Sequence, residues 1–360
     1  MRRIIKTLRI NSLDGLNVQM NSIDDNLLPF IVLIYESQNN DISTEEIKKN
    51  IHRCYPNCVV QVINQELLAA KEKVCLEFHC YSELPDGINY IDGESVNGNF
   101  VNYGEAVYLC AVSKSKGKDK YRQCFMQLSG TMASLGFNFS NVVRQWNYIP
   151  NIIGFNSEGI EEYAQFNAAR AEAYSQVKLE YFPAATGIGI SGEEVIIIVY
   201  AQINCLSKVS AIENPLQISA YNYSANVLNR AEDSYDCPKP LFSRGLLVQT
   251  QDVDNLFVSG TASIRGEGTI AKESIIEQIS KTIENINKLI SQQNLNIFSA
   301  VEINCENELI PKFIRTYIRE EVDYSIIENM IHRSYPQAEL VLLRAAICRV
   351  DLLVEIEALI

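Results

Sequence analysis

The sequence predicts an α+β fold in which mixed sheets carry helices packed on one face. Two observations lead to this prediction. A helix followed by two apolar strands recurs along the chain, and further strands and amphipathic helices alternate between the copies. Hairpins that alternate with helices are typical of mixed sheets, because each element must bury one apolar face against another layer.

The clearest repeat links the N-terminal and C-terminal regions. Ile51-His52-Arg53 and Tyr55-Pro56 recur as Ile331-His332-Arg333 and Tyr335-Pro336. Both copies follow an amphipathic segment, and both precede two apolar runs that predict a β-hairpin. A looser third copy begins at residue 160, where a predicted helix precedes FPAATGIGI and EEVIIIVYAQI. The chain therefore contains three related helix–strand–strand segments.

Alignment of the three copies singles out two ionisable residues of the last copy. Glu355 corresponds to Ile196 and Cys75, and Arg344 corresponds to Ala185 and Asn64. An exposed ion pair is the alternative interpretation of Arg344 and Glu355. Since both sister copies lack the pair, the last copy is the better candidate for chemistry. Glu357 lies on the same strand face as Glu355 but matches Glu77 of the first copy, so a role in the scaffold is expected.

The apolar pattern also predicts the elements between the repeats and the division into domains. Residues 256–264 and 296–305 predict strands, and residues 272–290 predict an amphipathic helix with isoleucines on one face. Two tandem domains are expected, residues 1–205 without an arginine–glutamate pair of their own and residues 206–360 as the catalytic domain. The boundary lies where the last predicted strand of the middle copy ends.

Composition and charge restrict the classes of function. The net charge of −13 argues against a nucleic acid partner, since duplex binding needs a basic surface. No stretch reaches the roughly 18–20 apolar residues of a membrane span, and no signal peptide is recognised. The ten cysteines are scattered through apolar runs, which favours reduced thiols and a cytoplasmic protein. Cys54 and Cys58 lack a second pair of ligands, so no metal site is expected.

Seven segments together resemble the reactive-intermediate deaminase (YjgF-like) superfamily and, more specifically, its chorismatase branch. They are VVRQWNYIP (142–150), EEYAQFNAARAEAY (161–174), FPAATGIG (182–189), NPLQISAYNYS (214–224), PLFSRG (240–245), VSGTASIRG (258–266) and ICRVDLLVEIEAL (347–359). The segments cover most of residues 140–360. The resemblance implies two tandem YjgF-like domains.

The chorismatase resemblance implies cleavage of chorismate with release of pyruvate, and it implies no metal or organic cofactor. The second product would be 3-hydroxybenzoate, 3,4-dihydroxycyclohexa-1,5-diene carboxylate or 4-hydroxybenzoate. Glu355 corresponds to the acid/base of the family. The implied substrate-binding residues are Tyr163, Arg170, Tyr221, Tyr223, Arg244 and Arg344.

The chemistry of chorismate suits these residue types. Two substrate carboxylates call for arginines, whose planar guanidinium matches a carboxylate with two hydrogen bonds. Tyr163 and Arg170 are seven residues apart on a predicted helix and so share one face. Tyr221 and Tyr223 alternate on a predicted strand, and Tyr223 is favoured for the pocket. Without the resemblance, surface or core-edge positions would be the better interpretation of these side chains.

Two further residues bear on the product. In the resemblance, members that form 3-hydroxybenzoate have a cysteine where this chain has Cys348, whereas simple hydrolytic members have an aliphatic residue. Ala262 lies near a second discriminating position. A small buried hydrophobe is the alternative role for Cys348. The 3-hydroxybenzoate product is favoured.

Two other functions stay open at the level of sequence. A YjgF-type imine deaminase would need Arg344 and Glu355 but not Tyr163, Arg170 or Arg244. A small-carboxylate binding module would need Arg344 but tolerate loss of Glu355. The tandem copies could supply within one chain the surface that a YjgF-like trimer takes from its neighbour, so both a monomer and a homo-oligomer are consistent with the sequence.

Overall fold

The described part of the chain forms three larger sheets and one short two-stranded sheet. A computed structural model describes residues 3–20, 23, 27–37, 40–69, 72–81, 88–101, 106–113, 117, 119–156, 158–203, 208–228, 238–249, 254–298, 309–320, 322 and 324–360. Strands and helices are both abundant, and every larger sheet is mixed. The predicted α+β class with mixed sheets is therefore confirmed.

The first sheet is built from the N-terminal region. Its strands, in spatial order, are β1 (Arg3–Ile10), β5 (Val74–Tyr81), β2 (Leu28–Glu36) and β3 (Val59–Ile63). Helices α1 (Leu13–Met20) and α2 (Thr44–Cys54) cover one face. Ile47 and Ile51 of α2 are fully buried against Val32 and Phe78, because the helix places its apolar residues on a single stripe.

The second sheet follows in sequence. Its strands, in spatial order, are β10 (Ala184–Ile190), β9 (Val142–Pro150), β11 (Val195–Gln202), β8 (Ala106–Ser113), β7 (Val96–Val101) and β6 (Ile88–Asp92). Helices α3 (Lys120–Ser134) and α4 (Glu162–Ser175) pack on one face of this sheet.

The third sheet contains strands from two distant parts of the chain. Its order is β12 (Lys208–Ile212), β13 (Gly245–Gln249), β14 (Asp254–Ala262), β19 (Val354–Leu359), β17 (Phe313–Ile318), β18 (Glu339–Arg344) and β4 (Glu66–Leu67). Helices α5 (Ile275–Leu289), α6 (Gln292–Phe298) and α7 (Tyr324–Ser334) accompany this sheet. The short hairpin of β15 (Ile264–Arg265) and β16 (Gly268–Thr269) follows β14.

Some of the elements predicted from the sequence are confirmed and others are wrong. The two apolar runs of the first and last repeats do not form the predicted β-hairpin, because β3 pairs with β2, and β18 pairs with β17 and β4. The helix predicted over 272–290 is α5, whose isoleucines pack on β14 and β19. The strand predicted over 296–305 is wrong at its start, because residues 296–298 form the end of α6. Leu295 of this helix is buried. Residues 299–305 lie outside the described residues. None of the helices among the described residues is both long and apolar enough to cross a bilayer.

The three larger sheets share one four-stranded arrangement. In each, counted in spatial order, the third and fourth strands of the unit run parallel with a helix between them in the sequence, and the second strand is antiparallel to both of its neighbours. The units are β1-β5-β2-β3, β8-β11-β9-β10 and β14-β19-β17-β18. Each ends with one copy of the helix–strand–strand repeat predicted from the sequence.

The strand register defines which residues correspond between units. Cys75 faces Tyr35, Ile196 faces Tyr148 and Glu355 faces Tyr317 across equivalent strand pairs. This agrees with the alignment of Glu355 made from the sequence. Arg344, one residue past the partner of Tyr317, corresponds by the same count to Asn64 and Gly189, not to Ala185.

The predicted boundary near residue 205 falls between β11 and β12, whereas the preceding 205 residues carry two sheets. The division into two domains at this point stays a prediction.

Faces of all three sheets meet in one apolar cluster that includes Leu33, Trp146 and Tyr317. The sheets are therefore packed around a shared interior.

Four charged residues lie in that shared interior. Arg315 binds Glu77 through two hydrogen bonds, one of them Nε to Oε2 at 3.1 Å, and it also binds Glu357. Arg144 Nη2 donates to Glu357 Oε2 at 2.6 Å. Burial opposes ionisation of Glu77, but Arg315 and His79 outweigh it and lower its pKa to about 2. The network joins β5, β9, β17 and β19, and so it ties the three sheets together.

Replacement of Arg315 by Met should reduce the free energy of unfolding by about 3–5 kcal/mol, because Glu77 and Glu357 would lose their shared cation while staying buried. Urea denaturation at neutral pH measures this loss. Lys48→Met removes the exposed Lys48–Glu45 pair and serves as the control, with an expected loss below about 1 kcal/mol. Equal losses in the two variants would contradict the assignment.

Candidate active site

A cavity opens where the second and third sheets meet. With the solvent at its mouth it encloses about 900 Å³. Its walls come from α4, β10, β14, β19 and the segment that joins β18 to β19. The residues around it are Glu161, Tyr163, Phe166, Arg170, Ala185, Thr186, Gly187, Tyr223, Val227, Pro240, Phe242, Arg244, Gly260, Ala262, Ile264, Cys348, Arg349, Val350, Leu352 and Glu355. The cavity is therefore built by two units of the chain, as expected from the positions of Tyr163 and Glu355.

Backbone and hydroxyl contacts between β10 and β14 fix the floor of the cavity. Ala185 N donates to Ser259 Oγ at 2.9 Å, and Gly260 N donates to Thr186 Oγ1 at 3.1 Å. The strand β14 is irregular here, because its register on β19 shifts between Val258 and Thr261. At this irregularity, β14 of the third sheet contacts β10 of the second sheet beside Glu355.

Glu355 is the only carboxyl group of β19 that faces the cavity; it is 5% exposed. Burial is the main cause that raises its pKa to about 8, and the charge of Glu357 adds to the rise. Arg144, Arg244 and Arg349 act in the opposite direction. A large part of the Glu355 side chains is therefore protonated at neutral pH, which suits a proton donor.

Small residues make room for the Glu355 carboxyl group. Ala262 lies directly opposite Glu355 on β14. A Cβ atom at Gly260 would overlap Oε1 of Glu355 and crowd Thr186 Cγ2 at 3.1 Å. Gly260 was not singled out from the sequence. Its place in the Ser259-Gly260-Thr261 run, beside a strand that carries the acid, was the available signal.

Glu357 lies two residues after Glu355 on the same face of β19, and several buried side chains bind its carboxylate. Trp146 Nε1 donates to its Oε1 at 3.0 Å, and Thr186 and Arg315 bind it in addition to Arg144. These contacts agree with the scaffold role expected from Glu77. They also keep a negative charge close to Glu355, which contributes to its raised pKa.

Three arginines face the cavity with neutral hydrogen-bond partners. Arg170, which is 1% exposed, donates from Nη2 to Asn167 Oδ1 at 2.6 Å. Arg244 is also buried and binds the Tyr223 hydroxyl. The Nε atoms of both are buried without a hydrogen-bond partner among the described residues. These side chains retain donors that a ligand carboxylate can accept from.

Arg349 is the third arginine and was missed in the sequence. Its guanidinium lies 4.8 Å from the centre of the Tyr223 ring, and Nη1 donates to the Glu267 carbonyl oxygen at 2.7 Å. The residue directly follows Cys348, so it belongs to a segment that already carried a candidate. Its position in an irregular turn gave no periodic signal.

The structure brings Tyr163 and Tyr223 to the cavity and leaves Tyr221 outside its lining. Tyr163 lies against Gly187, where an added Cβ would be 3.3 Å from its ring, and burial raises its pKa. Tyr221 instead packs on Phe182, with ring centres 5.2 Å apart. The strand predicted for Tyr221 and Tyr223 is wrong, because the chain forms a 3-10 turn at 220–222.

Cys348 lines the cavity near Glu355. Burial, followed by the charge of Glu355, raises the pKa of its thiol to about 12. The residue is therefore a neutral thiol at physiological pH, a small and weakly polar group and not a thiolate nucleophile.

Arg344 does not reach this cavity, contrary to its assignment from the sequence. It lies in a separate cleft, its side chain is 42% exposed, and Nη1 is 3.4 Å from Glu66 Oε2. The physical reason is strand pairing. β18 is bordered by β4, which places Glu66 directly opposite Arg344 at the sheet edge. An exposed ion pair was the alternative role for Arg344, although the partner is Glu66 and not Glu355.

The equivalent places in the other two units are filled differently. In the first unit Arg9 faces Cys75, and its guanidinium pairs with Glu72 at 3.3 Å and Glu328 at 3.4 Å. In the second unit Val112 faces Ile196. Of the three described units, the third has a carboxyl group at this position with a small residue opposite it, since Ala262 faces Glu355.

Comparisons with known proteins agree on one family. Residues 92–201 match the family model described as chorismatase FkbO/Hyg5-like, N-terminal. A 3-hydroxybenzoate synthase of Streptomyces hygroscopicus is 36% identical over 285 residues, which covers 75% of this chain and 79% of the relative. A chorismatase of the same organism is 28% identical over 263 residues, which covers 70% of this chain and 72% of the relative.

A solved structure supports the fold. The crystal structure of a chorismatase matches with a TM-score of 0.76 at 19% identity, and the match covers 100% of this chain and 98% of the other. The likeness therefore extends through all three sheets, including the N-terminal one.

Replacement of Glu355 by Gln should stabilise the protein increasingly as pH rises from about 4.5 to 8. In this window an unfolded Glu355 releases its proton while the folded one keeps it, so the wild type loses up to ~1.4 kcal/mol per pH unit relative to the variant. Below pH 4.5 both states bind the proton and the pH-dependent difference disappears. Thermal unfolding at pH 5, 6, 7 and 8 tests this. Glu273→Gln, at an exposed position, is the control, and a difference that does not grow with pH would refute the shift.

Proposed function

The chain belongs to the chorismatase family, and on this basis we propose that it cleaves chorismate to pyruvate and 3-hydroxybenzoate. One observation carries the proposal. A buried carboxyl group with a raised pKa, Glu355, lies in a cavity with arginines whose hydrogen-bond partners are neutral. The substrate class is supported by the relatives, which are described as a 3-hydroxybenzoate synthase and a chorismatase.

The arginines suit a substrate with two carboxylates. Arg170 and Arg244 each keep a buried Nε without a partner among the described residues, and Arg349 lies beside Tyr223 at the same cavity. Transfer of a dianion out of water is costly unless cations and hydrogen bonds replace the lost solvation. We assign these three arginines to the two carboxylates, with Arg349 in the role that the sequence gave to Arg344.

Glu355 is proposed as the acid that starts the reaction. Its proton goes to the terminal methylene carbon of the enolpyruvyl group, which becomes the methyl group of pyruvate, and an oxocarbenium ion forms. The ionised Glu355 then stands close to Arg244 and Arg349, whose charges favour the carboxylate. The same residue can therefore take back a proton in a later step.

The product depends on whether water enters the reaction. Pyruvate and 3-hydroxybenzoate together contain the atoms of chorismate, so this outcome consumes no water overall. The dihydroxycyclohexadiene carboxylate requires one water molecule. Cys348 lies beside Glu355 as a neutral thiol, and we propose that this weakly polar group, which an aliphatic side chain would lack, favours the route that consumes no water.

The placement of Arg344 distinguishes the proposal from an imine deaminase. That alternative requires Arg344 and Glu355 at one site, whereas Arg344 pairs with Glu66 in another cleft. A binding module without catalysis would not need a carboxyl group with a pKa near 8. Formation of the cyclohexadiene product or of 4-hydroxybenzoate stays an outcome of the assay.

Purified protein should release pyruvate from chorismate, measured by coupled lactate dehydrogenase, together with 3-hydroxybenzoate measured by chromatography. Glu355→Gln should lower kcat by about 10²–10⁴, because the amide cannot transfer the proton. Glu273→Gln should leave kcat unchanged. Absence of pyruvate at micromolar wild-type enzyme would refute the proposed reaction, and full turnover by Glu355→Gln would refute the assignment of the acid.

Cys348→Val should change the product ratio towards the cyclohexadiene carboxylate, since valine alters the volume and polarity beside Glu355. The ratio of the two organic products at equal pyruvate release is the measurement. Cys54→Ser, at an exposed cysteine of α2, is the control. An unchanged ratio in Cys348→Val would remove Cys348 from the control of the product.

A further inference from the structure

The segment between β18 and β19 carries an unusual share of the cavity wall without regular secondary structure. Cys348, Arg349, Val350 and Leu352 all face the cavity from it, and they lie in bends and turns. A catalytic wall must hold its side chains to within a fraction of an ångström, which a free loop does not do. Contacts from outside the segment must therefore fix it.

Arg319 contacts the carbonyl oxygens of this segment from one side. Its Nη2 donates to the Ile347 oxygen at 3.0 Å and also to the Arg349 oxygen, and its Nη1 donates to the Val350 oxygen. Its backbone N donates to the Leu353 oxygen at 3.0 Å. One side chain thus binds three carbonyl oxygens of a segment that lies outside regular helices and strands.

A different set of contacts holds the opposite side of the segment. Gln278 of α5 donates from Nε2 to the Asp351 oxygen at 2.9 Å and accepts from Leu353 N at 2.9 Å. These bonds do not involve the carbonyl oxygens of Ile347, Arg349 and Val350, which accept from Arg319; the Arg349 oxygen also accepts from Leu352 N at 3.2 Å. The two sets of contacts are therefore complementary, and removal of Arg319 releases the part that holds Cys348 and Arg349.

Arg319 also connects the segment to the strand that faces the acid. It directly follows β17, in which Tyr317 lies opposite Glu355. Its guanidinium is planar, so a single orientation serves several acceptors, whereas a lysine ammonium group could reach fewer of them. The geometry ties the turn to the same strand pair that positions Glu355.

We propose that Arg319 is a positioning residue that holds Cys348 and Arg349 at the cavity and thereby controls substrate affinity and the product ratio. The inference rests on the proposed function for its kinetic part. Arg319 itself does not line the cavity that contains Glu355. Its effect passes through the three carbonyl oxygens that it binds.

Arg319→Met keeps an unbranched apolar stem but removes the guanidinium and all of its donors. It should lower kcat/KM on the order of 10- to 100-fold, raise KM through the displaced Arg349, and change the product ratio through the displaced Cys348. Arg319→Lys should recover part of kcat/KM. Arg344→Met, at an arginine on the rim of the neighbouring cleft, is the matched control and should resemble the wild type. A role in stability alone would lower Tm and leave KM and the product ratio of the folded enzyme unchanged, which would overturn the proposal.

A second measurement is independent of turnover. Alkylation of Cys348 by iodoacetamide, followed by peptide mapping, reports how well the turn is held. Arg319→Met should speed it at least about tenfold, since local opening further exposes the half-buried thiol, and Arg344→Met should not. An unchanged alkylation rate in Arg319→Met overturns the proposal for Arg319, whether or not the wild type cleaves chorismate. Failure of the wild type to cleave chorismate would refute the proposed function alone. If Arg319→Met does not fold, the alkylation rate and product ratio of Arg319→Lys decide.

Discussion

The carboxylate of Glu357 is the group on which the arrangement of the sheets depends. It is buried, and its hydrogen bonds come from Arg144, Trp146 and Thr186 of the second sheet and from Arg315 of the third. A buried anion is tolerated only where cations and donors surround it, so the relative positions of these strands are constrained. Because Glu355 is two residues away on the same face, the anion that holds the sheets together also helps to keep the neighbouring carboxyl group protonated. The same carboxylate, Glu357, therefore holds the sheets together and raises the pKa of Glu355.

The three units show how a repeated architecture leads to one site. The same strand pair recurs, but Cys75 faces Arg9 and Ile196 faces Val112, whereas Glu355 faces Ala262. In the first unit, Arg9 forms ion pairs with Glu72 and Glu328 at this position. In the second unit, two apolar side chains pack against each other there. In these two units the equivalent positions form ion-pair and apolar packing contacts.

Much of this could be predicted from the sequence where a period or a repeat carried the information. The isoleucine stripe of α5 predicts its helix, and the repeat identifies Glu355 because the other copies lack it. The place of Arg344 could not be predicted, since it depends on β4, a strand almost 280 residues away in the chain. Arg349 and Gly260 escaped because a turn and a bulge have no periodic pattern. Tyr223 reaches the cavity through a 3-10 turn where alternation suggested a strand.

The pairing of β4 with β18 lets the N-terminal region support the units that form the cavity without lining it. The residues around the cavity all lie between Glu161 and Glu355. Yet residues before 82 supply the carboxylate of Glu77 to Arg315 and cover the open edge of β18 with Glu66 and Leu67. An uncovered edge strand invites pairing with other chains. The N-terminal region thus supplies a partner to the buried Arg315 and covers a sheet edge, and a shortened chain that keeps every cavity residue would lose both contacts.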